Sequence, residues 1–438
     1  MQSRLWSVDC AMVRTMPVRR FDVGSWLDSP LSRRRLDLSQ FAGERAIVAE
    51  ICARVAADGD AALREYGERF DGWAPRKGET FRVPEGDLAA AANRLPTADR
   101  AALEFAAQRI RDFHSKQLQT VSTGPPGLKL ITRPVRRAGL YAPGGRAAYP
   151  STVLMTVIPA RVAKVSEVVL TTPPRADGSV PAAILAAAHI AGVDAVYRIG
   201  GAQAIAALAY GTTSIPRVDV VAGPGNIYVT LAKKEVFGAV GVDGIAGPTE
   251  VMVVADANAR PDFVAADLAA QLEHDPLAWA VLVTDSAALA DRVEEELQSL
   301  IQGLDRADII RAANCCLIVA GDLEQAIHLA NDFAPEHLLI VAENAGRLAS
   351  QVENAGAVFV GAYATVPLGD YAAGPNHTLP TSGAARFASP LGVHTFLKRS
   401  SVLSLNRGDL EMLRDAVVRL AGLEGLTAHA HAVEVRLE

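Results

Sequence analysis

Cysteine is scarce in this chain, with four residues in 438, at Cys10, Cys52, Cys315 and Cys316, and no CxxC spacing among them. The set reads as reduced thiols of a cytosolic protein rather than a disulfide framework. A long apolar run is missing too: the uncharged stretches are rich in Ala and Gly and bounded by Asp or Arg, so none reads as a membrane span. Neither charge sign is in large excess. Lys plus Arg number 43 against 49 Asp plus Glu, a formal net charge of −6, and the charges are scattered, so nothing asks for nucleic acid. The apolar stretch at 11–13 is too short for a secretory signal, although Arg4, Arg14, Arg19, Arg20 and the run Arg33, Arg34, Arg35 meet few acids. Residues 1–20 therefore read as a ragged extension, with Met12 and Met16 as alternative starts. A GxGxxG dinucleotide fingerprint is absent as well.

Half of the residues are hydrophobic, and a chain this long exceeds one ordinary core, so two or more lobes are expected. Residues 41–119 read as amphipathic helix broken by loops near 72–78 and at Pro96, with no strand signal. From 152 onward helices alternate with short β-branched runs. The first series places helices at 152–164, 182–191 and 202–210, each followed by a strand, at 167–171, 195–199 and 218–221. After a Gly-rich junction at 240–248 a second series runs 251–255 (strand), 262–274 (helix), 279–284, 287–300, 316–320 and 323–333. Such repetition builds parallel sheets covered on both faces. The expected fold is α/β: two Rossmann-like parallel-sheet lobes with a ligand cleft between them, an N-terminal helical region and a C-terminal helical tail. The segments are 1–20, 21–130, 131–245, 246–390 and 391–438. The last holds a helix at 409–420 and then a short polar tail, which must dock on something.

Four short segments carry chemistry. In QLEHDP, Gln271 and His274 are three apart on one expected helix and so share a face; alone, such a pair is more often a core-edge feature than a metal site. In APEHL, Glu336 and His337 fall at a helix-to-strand junction, where the bland reading is a cap beside an exposed imidazole. GDYAAGPNHTLPT supplies Asp370 and a loop histidine, His377, and EGLTAH supplies Glu424 and His429, with His431 competing for the same role. Two imidazoles, a carboxylate and an amide oxygen suit a Zn²⁺ shell, and an adjacent Glu–His pair suits proton transfer. Gly200-Gly201-Ala202-Gln203 and Gly223-Pro224-Gly225-Asn226 each lie between an expected strand and a helix, a context for phosphate at a helix N-terminus and equally for an ordinary connection.

Together these segments, with GDAAL, FDGW, FHSKQ, GLYAPGG, GGAQAIAALAYGT, VAGPGNIYV, AGPTE and FLKRSSV, resemble the histidinol dehydrogenase family over nearly the whole chain beyond the first twenty residues. The resemblance implies zinc ligands at Gln271, His274, Asp370 and His429, which decides between His429 and His431. It implies an acid/base pair at Glu336 and His337, NAD contacts at Tyr141, Gln203 and Asn226, and substrate contacts at Thr249, Gln271, His274, His377, Glu424 and His429. Thr249 stands where the family commonly has Ser, keeping the hydroxyl but adding a methyl that tightens the fit. The implied activity is NAD-linked oxidation of L-histidinol to L-histidine through L-histidinal at one zinc-bearing site. The implied assembly is an intertwined cytoplasmic homodimer in which the tail serves the partner's site. Rival readings are a paralogue oxidising another small alcohol such as a sulfonated diol, a zinc hydrolase, and a non-catalytic binding protein. His377 and Glu424 argue against the first, the glycine loops and twin lobes against the second, and an intact acid/base pair against the third.

Overall fold

A computed structural model describes residues 15–33, 36–76, 78–118, 127–144 and 148–438. Cys10, Met12, Arg4, Arg14, Arg34 and Arg35 lie outside the described residues. The strands in chain order are β1 (Val18–Asp22), β2 (Leu128–Pro134), β3 (Arg137–Tyr141), β4 (Glu167–Thr172), β5 (Ala195–Arg198), β6 (Val220–Ala222), β7 (Gly241–Val242), β8 (Glu250–Ala255), β9 (Trp279–Thr284), β10 (Asn314–Val319), β11 (His337–Val341), β12 (Ala357–Val360) and β13 (Leu397–Leu403). The chain divides into two compact units, Met1–Gln117 with Val135–Phe396, and Leu118–Pro134 with Leu397–Glu438.

The larger unit holds two parallel sheets. One is ordered β5-β4-β3-β6-β7 and the other β1-β10-β9-β8-β11-β12. Within each series the first strand is central, the second and third lie to one side, and the fourth and fifth to the other. Strand order thus reverses beside β3 in one sheet and beside β8 in the other, as in doubly wound folds. Burial on both faces explains the near-continuous apolar text of these strands. In β8, Val251, Val253 and Ala255 pack under the helices Pro261–Leu272 and Ala287–Ile301. Its alternate residues Met252 and Val254 pack under Leu323–Phe333. Residues 41–118 are mainly helical, as expected, and Val48, Ile51, Val55 and Leu63 cover one face of the first sheet through Ile205 and Leu208.

One expectation is corrected. Residues 16–20 are not ragged: Val18–Asp22 adds a parallel edge strand to β10, with Met16 and Trp26 buried in the second lobe's cores. An edge strand needs only one partner's hydrogen bonds, so Val18 and Phe21 around two exposed arginines suffice, and the arginines hid the pattern. The C-terminal tail is helical, as expected, with Thr427–Glu434 following the helix Arg407–Leu423, whose Asn406 and Asp409 form a capping box. In this smaller unit the antiparallel pair β13 and β2 completes the fold. Cys52, Cys315 and Cys316 are buried free thiols. Among the described residues no helix is long and apolar enough to cross a membrane.

Candidate active site

The amino ends of β8 and β11 assemble the central cluster. The helix Leu323–Phe333 ends at Ala334, whose left-handed backbone (φ 53°) turns the chain through Pro335 into β11. This delivers Glu336 and His337 side by side and nearly sealed from solvent, 6% and 4% exposed. Parallel pairing of β8 with β11 sets Glu250 beside them. Its N–H donates to Glu336 Oε2 at 2.9 Å, and its carbonyl lies 3.1 Å from His337 Nδ1. A carbonyl can only accept, so Nδ1 carries the proton and Nε2 is left as the basic nitrogen. That nitrogen lies 3.7 Å from the Asp370 carboxylate.

A second line of contacts joins this pair to Gln271. The Gln271 amide Nε2 donates to Thr249 Oγ1 at 2.5 Å, and the Thr249 hydroxyl donates to Glu336 Oε2 at 2.5 Å. The opposite atom, Gln271 Oε1, is buried without a hydrogen-bond partner among the described residues. Such an acceptor is costly unless something outside the chain satisfies it. His274 is not on the helix with Gln271, as had been expected. The helix stops at Leu272 and Glu273 caps it, leaving His274 exposed just beyond, because Pro276 forbids another turn. Asp370 sits in the short helix Val366–Tyr371, and His377 follows in a loop where its Nδ1–H donates to the Asp370 carbonyl at 2.9 Å. Asn376 fastens that loop to the first lobe by donating to the Met155 carbonyl at 2.6 Å.

Burial pushes the Glu336 carboxyl above its ordinary range, against the opposing pull of His337 and the Thr249 hydroxyl. Burial alone would lower His337, but the neighbouring Glu336 and Asp370 carboxylates outweigh it and raise the imidazole. Asp370 is held low: burial acts to raise it, and the neighbouring His337 imidazole prevails. Burial depresses His377. A buried carboxyl and imidazole side by side, both shifted upward by their surroundings, are equipped to exchange protons with a substrate.

No group of three or more His, Cys, Asp or Glu side chains among the described residues is arranged to hold a metal. Gln271, His274 and Asp370 nevertheless supply oxygen and nitrogen donors of the kind zinc takes, and the unpartnered amide oxygen fits a ligand role. Glu424 caps the helix Arg407–Leu423, and His429 lies exposed in the helix Thr427–Glu434; both belong to the smaller unit.

In the first lobe Tyr141 ends β3, Gln203 lies in the first turn of Gly201–Tyr210 after β5, and Asn226 caps Ile227–Val236 after β6. These are carboxyl ends beside the point where strand order reverses, the position at which open parallel sheets receive ligands. The loops are not open phosphate cradles, however. Gly200 N–H goes to Asp71, Gly201 N–H to the Tyr141 hydroxyl, Gly223 N–H to Asp243, and the Asn226 side chain takes the N–H groups of Tyr228 and Val229. The second lobe departs from the carboxyl-end rule, since its cluster gathers at the amino ends of β8 and β11.

Sequence reading passed over Glu250, whose backbone grips both members of the acid/base pair, and Asp267, whose buried carboxylate accepts from the Thr365 hydroxyl. The latter contact ties the helix of Gln271 to that of Asp370. The only signal was position: Glu250 follows Thr249 in AGPTE, and Asp267 stands one turn before Gln271.

Two parallel sheets with a sealed carboxyl–imidazole pair at their strand ends define an α/β enzyme that moves protons. A family model described as histidinol dehydrogenase matches residues 33–437. A histidinol dehydrogenase of Synechococcus sp. is 51% identical over 398 residues, covering 89% of this chain and 92% of its own length. One from Pseudomonas aeruginosa is 48% identical over 399 residues. The crystal structure of histidinol dehydrogenase from Elizabethkingia anophelis superposes with a TM-score of 0.88 at 33% identity, covering 96% of this chain and 98% of that one. The chain belongs to the histidinol dehydrogenase family and is an oxidoreductase.

Proposed function

We propose that this enzyme oxidises L-histidinol to L-histidine through L-histidinal, with NAD⁺ accepting a hydride in each step at one zinc-bearing site. The observation that carries the reading is the sealed Glu336–His337 pair, joined through Thr249 to a Gln271 amide whose oxygen has no partner among the described residues. Gln271, His274 and Asp370, with His429 of the partner subunit, would hold the zinc. When bound, zinc would supply a Lewis acid that orients the substrate. Tyr141, Gln203 and Asn226 would contact NAD⁺, whose nicotinamide supplies the hydride acceptor.

His337 Nε2 takes the hydroxyl proton as the alcohol carbon is oxidised. Glu336 removes a proton from the water that adds to the aldehyde carbon, and His337 takes the proton of the resulting hydrate in the second oxidation. Thr249, His377 and Glu424 of the partner subunit contact the substrate, the last two suiting an imidazole and an ammonium group. Supporting a shared site, the helix Arg407–Leu423 buries only Ala421 and exposes Leu420 and Leu423 at 59% and 85%. A helix face of that kind asks for a partner surface.

Histidinol-dependent NADH formation tests the reading. About two NADH per histidinol are expected, with turnover lost to a chelator and restored by Zn²⁺. Absence of NADH formation would overturn the substrate assignment. Full turnover by protein that elemental analysis shows to be metal-free would overturn the zinc assignment.

A further inference from the structure

Lys233 and Asp243 form an ion pair inside the first lobe, their side chains 5% and 3% exposed. Charges that deep are seldom retained for stability, because desolvation offsets most of their attraction. The two ends of this pair grip the backbone on either side of one residue, Gly223. Asp243 Oδ2 accepts the Gly223 N–H at 2.8 Å, and Lys233 Nζ donates to the Gly223 carbonyl at 3.1 Å. Gly223 opens the loop that leads to Asn226.

Residue 223 must be glycine: its φ is +120°, and a Cβ there would lie 2.2 Å from the Tyr141 carbonyl oxygen. With no side chain to pack, the two peptides that flank Gly223 are oriented through hydrogen bonds to the residue's N–H and C=O. The same helix is fastened a turn earlier, where the Thr230 hydroxyl donates to the Ala246 carbonyl at 3.2 Å. The loop, the helix Ile227–Val236 and the junction between the lobes thus meet at one buried contact.

We propose that Lys233 and Asp243 are positioning residues which, by clamping the Gly223 backbone, hold the 223–226 loop and its Asn226 in the geometry that receives the dinucleotide. The proposal rests on the dinucleotide reading given above. It concerns neither a contact to the cofactor nor the acid/base pair.

The test titrates NADH, by fluorescence, into the zinc-loaded full-length enzyme and into Lys233→Met, Asp243→Asn and the double variant, and measures steady-state kinetics on each. Asp243→Asn keeps the shape and an acceptor for Gly223. The double variant leaves no unpaired buried charge, so the test survives if a single variant does not fold. Expected is a rise of about tenfold or more in the NADH Kd and in KM for NAD⁺. At saturating NAD⁺, kcat is expected to stay within about threefold of wild type and KM for histidinol to be unchanged. A merely structural defect would instead lower kcat through the active fraction and leave the affinities of the surviving enzyme alone. That pattern, or an NADH Kd within about twofold of wild type in the folded variants, would overturn the proposal. Wild-type enzyme that binds no NADH would overturn the dinucleotide reading and the clamp together, whereas a binding wild type with unchanged variants would overturn the clamp alone.

Discussion

Glu336 and His337 are adjacent, yet the structure gives them different hydrogen-bond duties, and these separate their expected defects. Only the aldehyde step needs an activated water, so Glu336→Gln is expected to slow histidinal oxidation more than histidinol oxidation. His337→Asn is expected to slow both, by about 10²- to 10⁴-fold, the usual worth of a general base. Assay of the two half-reactions separately checks this, and equal impairment by Glu336→Gln would contradict it. Thr249 gives a second test. Thr249→Ser retains the hydroxyl between Gln271 and Glu336 and should stay close to wild type. Thr249→Ala leaves the Gln271 amide N–H without its acceptor and Glu336 Oε2 with only the Glu250 N–H, and should cost about 1–3 kcal/mol in thermal or denaturant unfolding, along with activity. The pair's place at a helix-to-strand junction was legible in APEHL, although the bland reading there was an exposed imidazole and the structure buries it. Glu250 was not, because its grip is exerted by backbone atoms, which carry no side-chain signature.

Helices and strands read well where apolar periodicity was strong: the helix Ala182–Ala191 and strand Trp279–Thr284 fall where expected. Their ends were less legible, because caps and prolines act on single residues, as at His274. Capping yields a prediction at this scale. Asn226 and Asp322 both cap helices with side-chain oxygens, so Asn226→Ala and Asp322→Ala should each cost about 0.5–2 kcal/mol in denaturant unfolding. Only the first should also raise KM for NAD⁺, and equal kinetic effects would remove Asn226 from the proposed cofactor site. The helix Thr97–Ser115 ends in His114, fully buried, with Nδ1–H donating to the Ile110 carbonyl at 2.8 Å. Burial depresses this imidazole's pKa. The unfolded chain therefore binds the proton more readily, so stability is present above an unfolded-state pKa of about 6.5 and is lost as pH falls towards the depressed folded value. His114→Leu should make the decline of Tm below about pH 6.5 shallower; an unchanged slope would assign that decline to other groups.

At the scale of the whole molecule, the proposed sharing of sites between subunits has a direct consequence. His337→Ala and His429→Ala homodimers should each be nearly inactive. In a mixed dimer one site carries both defects and the other neither. Co-refolding the two variants should then restore roughly a quarter of wild-type activity if subunits mix at random and sites act independently. No recovery, with mixed dimers confirmed by mass spectrometry, would place His429 in its own subunit's site.

The sequence by itself determined the two α/β series, the helical region before them and the segments that carry the chemistry, because apolar period, glycine turns and short motifs are local properties. Tertiary structure alone decided that β1 joins the second sheet, nearly three hundred positions from β10 in the chain. It also decided that the first lobe presents the carboxyl ends of its strands while the second gathers Glu336, His337 and Thr249 at the amino ends. Likewise it decided that the carboxylates of Asp71 and Asp243 pin the two glycine loops. These are long-range pairings, fixed by which strand edges and buried polar groups satisfy one another, and no stretch of sequence contains both partners.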